Sequence, residues 1–553
     1  MKTPPPSLFQ IRLRAPHTAS DAQWAETFRA LSDNRDSCDE VWFSTGISFP
    51  PMEWHREHTA RLAKYADELR RAGIEPSLQF QATLGHGDSF GGTPEEMAGR
   101  TWSGFTGPTG VECKACNCPR QPAFLAYVRE MARLYAEAIQ PAWLWIDDDL
   151  RVNNHLPAAR WEDIGCWCET CRAAFAAETG CTVSAADAGG AGGSPRPLPS
   201  AWERFSFESI AAVARAIAEE THAVSPETRF GYQHGGWPND SQLAVFRALR
   251  EAGGRPVGSR PGGGAYYDLD PSGPVIKALA AARQRRVLGD PPWIDTWLPE
   301  IETYPRAFAS RTPRGILLEA VASLAYGMNG LSALIMDTRY ETDAWYSENL
   351  LAPLAAERAF LERYRDANLD TVPAGLDVPA DMPIDDAWQR ALAGVPVVPG
   401  PGIAFPEDGG LETASPPADA SQGGGGLQSA VFPPSFRVSS CSTRDLARIR
   451  AAADAAAGGR LPVIVETPTV GLVVPRVAPD GALRTVLLLN ARIDAQKPLT
   501  LRLRTGGAGG PHASAVWRAI GEPPVTIPVL REGVDARVTI PPLQPWSAGW
   551  LAL

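Results

Sequence analysis

Three consecutive aspartates, Asp147-Asp148-Asp149, close the apolar run Trp143-Leu144-Trp145-Ile146. Burying carboxylates at the end of a strand is costly unless they are paired or hydrogen-bonded, so the triplet points to acid/base chemistry. A second acidic position, Glu300 in Trp297-Leu298-Pro299-Glu300-Ile301-Glu302, ends another apolar run. Two carboxylates on opposite sides of a pocket are the minimum equipment for glycoside hydrolysis. One serves as general acid and then base, and the other attacks the anomeric carbon or activates a water. A gap of roughly 5–5.5 Å between them means retention, and roughly 6.5–9.5 Å means inversion. Each aspartate also has a purely structural alternative, as a loop tip, a helix cap or the partner of Arg151. Glu302 has one too, as a partner of Arg306.

Just downstream comes Cys166-Trp167-Cys168-Glu169-Thr170-Cys171, with Cys113, Cys116 and Cys118 upstream, so six of the nine cysteines fall in one stretch. Three thiolates within six residues, joined by a fourth from the upstream group, suit a closed tetrahedral zinc site. A site with four protein ligands keeps no open position, so such a metal pins loops and does no chemistry. The alternative is free thiols in a reducing compartment.

These groups need elements to carry them. Strand-like runs at Leu8–Leu13, Glu40–Ile47, Pro76–Ala82, Ala142–Asp147, Arg229–Gln233, Arg255–Ser259, Ile294–Leu298 and Gly330–Met336 alternate with helical periodicity. Eight such units in about 350 residues predict an α/β fold, a (β/α)8 TIM barrel. Sites of that fold gather at the C-terminal strand ends, here Ser44, His86, Asp147–Asp149, His234, Glu300 and Asp337. The barrel spans residues 1–368. Residues 369–460, Pro-rich and containing Gly423-Gly424-Gly425-Gly426, read as a linker or irregular region. From 461 to 553, short β-rich runs separated by turn residues predict a C-terminal β-sandwich.

The chain as a whole sets limits. Its 553 residues are 44% hydrophobic and 21% charged, with a formal charge of −11. That composition describes a globular protein and argues against nucleic acid and anionic membrane surfaces as partners. No apolar run reaches the ~20 residues that span a bilayer. The segment Met1-Lys2-Thr3-Pro4-Pro5-Pro6 lacks the apolar core of a secretory signal, so a cytoplasmic location is expected. The 17 tryptophans fill core or stack on sugar rings.

The order Cys118-Pro119, an acidic strand end, Cys166-x-Cys168-x-x-Cys171 and then Phe175 resembles the glycoside hydrolase family 42 β-galactosidases. So does Ala320-Val321-Ala322-Ser323-Leu324-Ala325-Tyr326-Gly327 ahead of an apolar strand. The resemblance covers roughly residues 75–365. It implies a clan A barrel, a retaining double displacement and a structural zinc held by four thiolates, with no organic cofactor. Glu300 matches the family's nucleophile, and Cys118, Cys166, Cys168 and Cys171 match its zinc ligands. Asp149 matches the acid/base by position. The family has Asn-Glu where this chain has Asp148-Asp149, so Asp148 stays an alternative acid/base, and Cys113 or Cys116 an alternative to Cys118. The family's flavodoxin-like domain corresponds to a shortened or degenerate stretch within 369–460.

The expectation is a retaining, exo-acting β-glycosidase on small oligosaccharides or glycosides. Asp147, Arg151, His155, His234, Trp237, Trp297, Glu302 and Asp337 are its candidate substrate contacts. A homo-oligomer is left open. Two alternatives stand beside it, a non-catalytic carbohydrate-binding barrel and a glycosidase of different sugar specificity.

Overall fold

A computed structural model describes residues 7–86, 97–152, 164–184, 200–235, 239–264, 266, 268, 273–303, 311–336, 342–378, 383–399, 441–467, 469–492, 494–504 and 514–553. They form two compact units. One comprises Phe9–Gly262 and Pro291–Thr296; the other comprises Met1–Leu8, Gly263–Asp290 and Trp297–Leu553.

The first unit carries a parallel ladder in chain order: β1 (Phe9–Arg12), β2 (Glu40–Ser44), β3 (Glu75–Phe80), β4 (Trp143–Ile146), β5 (Arg229–His234), β6 (Val257–Pro261) and β7 (Ile294–Trp297). Helices Asp21–Asp33, Met52–Arg71, Pro122–Ile139, Ser200–Val224 and Asn239–Gly253 stand between successive strands. Registers such as Phe80↔Ile146 and Ile146↔Tyr232 bring the C-terminal ends of β3, β4 and β5 level. The ladder is packed around Trp145, whose ring stacks on Trp42 at 4.5 Å and on Trp143 at 5.0 Å. A Cβ on Gly231 would lie 2.1 Å from the Trp145 ring, so only glycine leaves room for it.

In the second unit β8 (Glu300–Glu302) pairs in parallel with β9 (Leu331–Leu334), and the Leu331 N–H donates to the Leu8 carbonyl at 2.8 Å. The sequence places Glu300 at the end of the seventh strand; instead it opens a short strand of its own. Pro299, which has no N–H for the ladder, separates the two pieces. The helix Pro313–Ala325 is capped by the Thr312 side chain, which accepts from the Gly315 N–H. Further along, Leu376–Val378 and Val397–Pro399 pair in parallel around the helix Ile384–Leu392, a βαβ element in the stretch expected to be a linker or a shortened flavodoxin-like region. Residues 400–440, with the tetraglycine run, lie outside the described residues, as does the Gly-rich stretch 185–199.

A six-stranded antiparallel sheet and a four-stranded one close the chain. Val473, Leu488, Trp517 and Leu551 of the first sheet share one core with Val463, Leu501, Val538 and Ile540 of the second, which is a β-sandwich. Among the described residues no helix is long and apolar enough to cross a membrane.

A buried polar knot ties the helix Met52–Arg71 to the helix Pro122–Ile139. Tyr127 Oη meets His55 Nε2 at 2.7 Å, and Tyr135 Oη meets His55 Nδ1 at 2.9 Å and His58 Nδ1 at 2.8 Å. Burial lowers the pKa of His55 to about 3 and of His58 to about 4. Both imidazoles are therefore neutral in the folded chain and titrate near 6.5 when unfolded. Their contribution to stability is complete above pH 6.5 and is lost as pH falls from there toward 4. Replacing His58 with Gln should flatten the fall in melting temperature between pH 6.5 and 4 relative to the parent, by up to one proton taken up on unfolding. A slope unchanged by the substitution would count against a buried neutral histidine.

Candidate active site

The end of β4 sorts the three aspartates by what surrounds them. Asp149 has no exposed surface. Its Oδ2 accepts the N–H groups of Thr83 and Gly85, both at 2.7 Å, and its Oδ1 accepts the Thr83 hydroxyl at 2.5 Å. Burial raises its pKa, against the charge of His86 and these hydrogen bonds. Its carboxylate is thus fully engaged in fastening the turn that follows β3. The sequence-level match of Asp149 to an acid/base lands on a group with no face toward solvent.

Asp147 and Asp148 share His86. The imidazole Nε2 lies 3.5 Å from Asp147 Oδ2 and 3.5 Å from Asp148 Oδ1. Arg260, almost wholly buried, brings Nη2 to 3.7 Å from Asp147 Oδ1. Asp148 is the most open of the three carboxylates, with 29% of its side chain exposed against 8% for Asp147. Burial, reinforced by the Asp148 charge, raises Asp147 to about 6 despite His86 and Arg260. Burial acts the same way on Asp148, but His86, Arg151 and Arg260 outweigh it and hold this carboxyl well below the usual range. Burial pushes His86 down, yet Asp148, Asp149 and Asp147 together lift it to about 9.

Arg260 is oriented by Gln233, whose Oε1 accepts from Arg260 Nε at 3.1 Å and Nη2 at 3.0 Å and from Arg12 Nη1 at 3.2 Å. Two guanidiniums converging on one amide oxygen fix the floor beneath Asp147. Sequence reading puts His86 at a strand end without giving it a role and stops the sixth strand one residue short of Arg260. His234 is fully buried, its Nε2 2.8 Å from Ser259 Oγ, so it packs inside the wall. His155, Trp237 and Asp337 lie outside the described residues.

In the second unit Glu300 is 6% exposed. Its Oε2 accepts the Gly263 N–H at 3.1 Å and the Tyr266 hydroxyl at 3.0 Å. Neither donor is foreseeable from the sequence beyond the glycine run Gly262-Gly263-Gly264. Glu302 is 9% exposed, and its charge helps raise the pKa of Arg311, where burial acts in the opposite sense. Trp297 is buried, with the Arg285 guanidinium 5.0 Å from its ring centre.

The cysteines meet as a cluster. One sulfur each from Cys118, Cys166, Cys168 and Cys171 lies within 4.8 Å of the other three. Cys118 Sγ stands 3.4 Å from that of Cys168 and 3.3 Å from that of Cys171. Sulfurs around a tetrahedral zinc with bonds near 2.3 Å are about 3.8 Å apart, so the cluster has the size for such an ion. Cys118 directly follows the hairpin Gly104–Thr106/Glu112–Asn117, and Cys168 and Cys171 open the helix Glu169–Thr179. Cys113 and Cys116 are buried close by in the same apolar cluster but are not among the four.

No family model and no curated protein matches the chain. Solved structures do. The cold-adapted β-galactosidase from Rahnella sp. R3 aligns over 97% of this chain and 98% of its own, with 11% identity and a TM-score of 0.56. Gan42B, a glycoside hydrolase family 42 β-galactosidase, aligns over 99% and 98%, with 9% identity and a TM-score of 0.58. A catalytic mutant of Gan42B from G. stearothermophilus gives 96% and 98%, 10% identity and a TM-score of 0.53. At such identities the likeness establishes the fold: this chain has the (β/α)8 barrel and β-sandwich architecture of those proteins over nearly its whole length.

Proposed function

We propose that the chain is a retaining, exo-acting glycosidase acting on small β-glycosides, β-galactosides foremost. Glu300 would attack the anomeric carbon, and the group at the end of β4 would supply acid and base. The observation that carries this reading is the setting of Glu300. It is a nearly buried carboxylate with one oxygen fixed by two neutral donors. Donors on one oxygen fix the orientation of a carboxylate, which suits a nucleophile. The fold shared with β-galactosidases adds support at the level of reaction class.

Within the β4 group, acid and base duty falls to the part that water reaches, Asp148 with His86, and not to Asp149. Asp149 is a brace. Replacing it with Ala leaves three donors around a void, and a buried donor left without its partner costs about 1–3 kcal/mol. The melting temperature of the Asp149→Ala protein should therefore drop by several degrees. An unchanged melting temperature would remove the bracing role.

The assay that decides reaction class is release of nitrophenol from a panel of nitrophenyl glycosides, with the anomer of the first product followed by NMR. The parent should release the aryl group with retention, and Glu300→Gln should abolish turnover while keeping the parent melting temperature. A Glu300→Gln protein that still turns over would sink the assignment. A parent that binds glycosides without releasing aryl groups would favour a carbohydrate-binding barrel.

We also propose that the four thiolates of Cys118, Cys166, Cys168 and Cys171 hold a zinc ion. A bound zinc would cross-link the hairpin to the helix Glu169–Thr179 and supply no reactive position. Chelation, or Cys168→Ser, should lower the melting temperature while leaving kcat per folded molecule within about twofold. Loss of kcat with the melting temperature unchanged would overturn the structural role.

A further inference from the structure

At the end of β4 neighbouring aspartates meet their partners in opposite ways. Asp149 closes on its donors at 2.5–2.7 Å, as a hydrogen-bonded carboxylate does. Asp147 and Asp148 do not close on His86. Its Nε2 stands 3.5 Å from Asp147 Oδ2 and 3.5 Å from Asp148 Oδ1. A charged N–H held by a carboxylate lies about 2.7–2.9 Å from the oxygen, so one proton on Nε2 satisfies neither. The spacing suits ligands that share an ion. Around a tetrahedral ion with bonds of roughly 2.0–2.2 Å, neighbouring ligand atoms are about 3.3–3.6 Å apart. The two carboxylates also bring one oxygen each within 4.8 Å of the other.

We propose that His86 Nε2, Asp147 Oδ2 and Asp148 Oδ1 form a binding site for a divalent first-row transition ion such as zinc, separate from the four thiolates. One imidazole and two carboxylates suit zinc, iron(II) or manganese(II) better than calcium or magnesium, which prefer oxygen alone. Three protein ligands leave a position open. It lies on the side that water reaches, since 21% of the His86 side chain and 29% of that of Asp148 are exposed. An ion there would engage the two groups given acid and base duty above, so it competes with glycoside cleavage. That consequence alone rests on the glycosidase reading; the binding site stands apart from it.

Groups of the same unit hold these ligands in place. Gly85, whose N–H is held by Asp149, has φ +95° and lies so near the Ala115 carbonyl that a Cβ would come within 2.1 Å of it. On the other flank Asn117 donates its N–H to the Leu84 carbonyl at 2.7 Å and its side-chain amide to the Thr83 carbonyl at 2.9 Å. The backbone from Thr83 to Gly85 is thus clamped from two sides, and the next residue is His86. Asp147 is held from behind. Arg260 Nη2 lies 3.7 Å from its Oδ1, the oxygen not turned to His86, and Gln233 orients Arg260. Asp148 is fixed in turn between Asp147 and the braced Asp149. Outer partners that orient the ligands are what a metal site needs for affinity.

The test loads the metal-depleted full chain with cobalt(II), a spectroscopic stand-in for zinc, and reads stoichiometry and absorption together. Two equivalents should bind. One should give the intense thiolate-to-cobalt charge-transfer band of the cysteine site, the other only the weak visible bands of nitrogen and oxygen ligands. His86→Asn and Asp148→Asn should each keep the first ion. Each should weaken the second by more than the roughly 10–100-fold that loss of an outer partner costs. Cys168→Ser should disturb the first ion and keep the second. A parent that takes up no ion beyond the thiolate-bound one overturns the proposal, and so does a second ion whose affinity both substitutions leave unchanged. The parent stoichiometry decides even where a variant does not fold. In the parent, zinc beyond the thiolate equivalent should suppress nitrophenol release, and removal of the excess should restore it; binding without suppression overturns the competition. A parent that binds the second ion yet cleaves no glycoside sinks the glycosidase reading and leaves the metal site standing.

Discussion

Three adjacent carboxylates at the end of one buried strand cannot all be left to themselves, and the first unit is arranged around that constraint. An isolated buried carboxylate costs several kcal/mol or shifts its pKa until it is neutral. Each aspartate is compensated differently. Asp149 takes three donors from a single turn. Asp147 is set between Arg260 and His86. Asp148 keeps partial access to water and the charges of His86 and Arg151. Because the compensating groups differ, three residues of identical chemistry end in three different settings: Asp149 locked and raised, Asp147 raised between two cations, and Asp148 held low. Arg260 must itself be oriented, which draws Gln233 and Arg12 into the same network.

The second unit meets a related demand with buried pairs. Glu319, wholly buried, lies 3.1 Å from Lys277 Nζ and 2.5 Å from Arg311 Nη2. Arg311 in turn reaches Asp268 at 3.3 Å, whose Oδ2 accepts the N–H and hydroxyl of Thr312. Buried pairs of this kind add little net stability over apolar packing, but breaking one member is expensive, so they fix geometry. The geometry here matters for Tyr266. Lys277 Nζ is 4.8 Å from its ring centre, and its hydroxyl donates to Glu300. The tyrosine that orients the proposed nucleophile is thus backed by a cation that has its own fixed partner.

How far the sequence discloses this depends on the range of the interactions. The eight strand–helix units are legible because hydrophobic periodicity is local. The βαβ element at 376–399 is legible only as a linker or a shortened flavodoxin-like stretch, because its composition is Pro-rich. The hairpin at 104–117 is hidden because its strands are short and interrupted by cysteine and glycine. The break at Pro299 is written in the sequence, yet its effect on Glu300 depends on β9, some 30 residues downstream. The cysteine cluster is legible as a set, since thiolates at such spacing have few other uses. The state of each aspartate is not, because the donors that tell Asp149 from Asp148 come from Thr83 and Gly85, more than 60 residues upstream. A motif identifies which groups can do chemistry; contacts distant in sequence decide which one does.

The cysteines lie closer to the proposed chemistry than their closed geometry suggests. The strand Glu112–Asn117 ends one residue before Cys118, and it is this strand that clamps the turn before His86, through Asn117 and the Ala115 carbonyl. Asp149 holds that turn from the opposite side. A metal on the four thiolates would therefore act on the site through one strand and one turn, by keeping the hairpin where Gly85 can pack against it. It would touch neither substrate nor proton. The acidic triplet and the cysteine cluster, adjacent in sequence and distinct in chemistry, converge on the placement of a single imidazole.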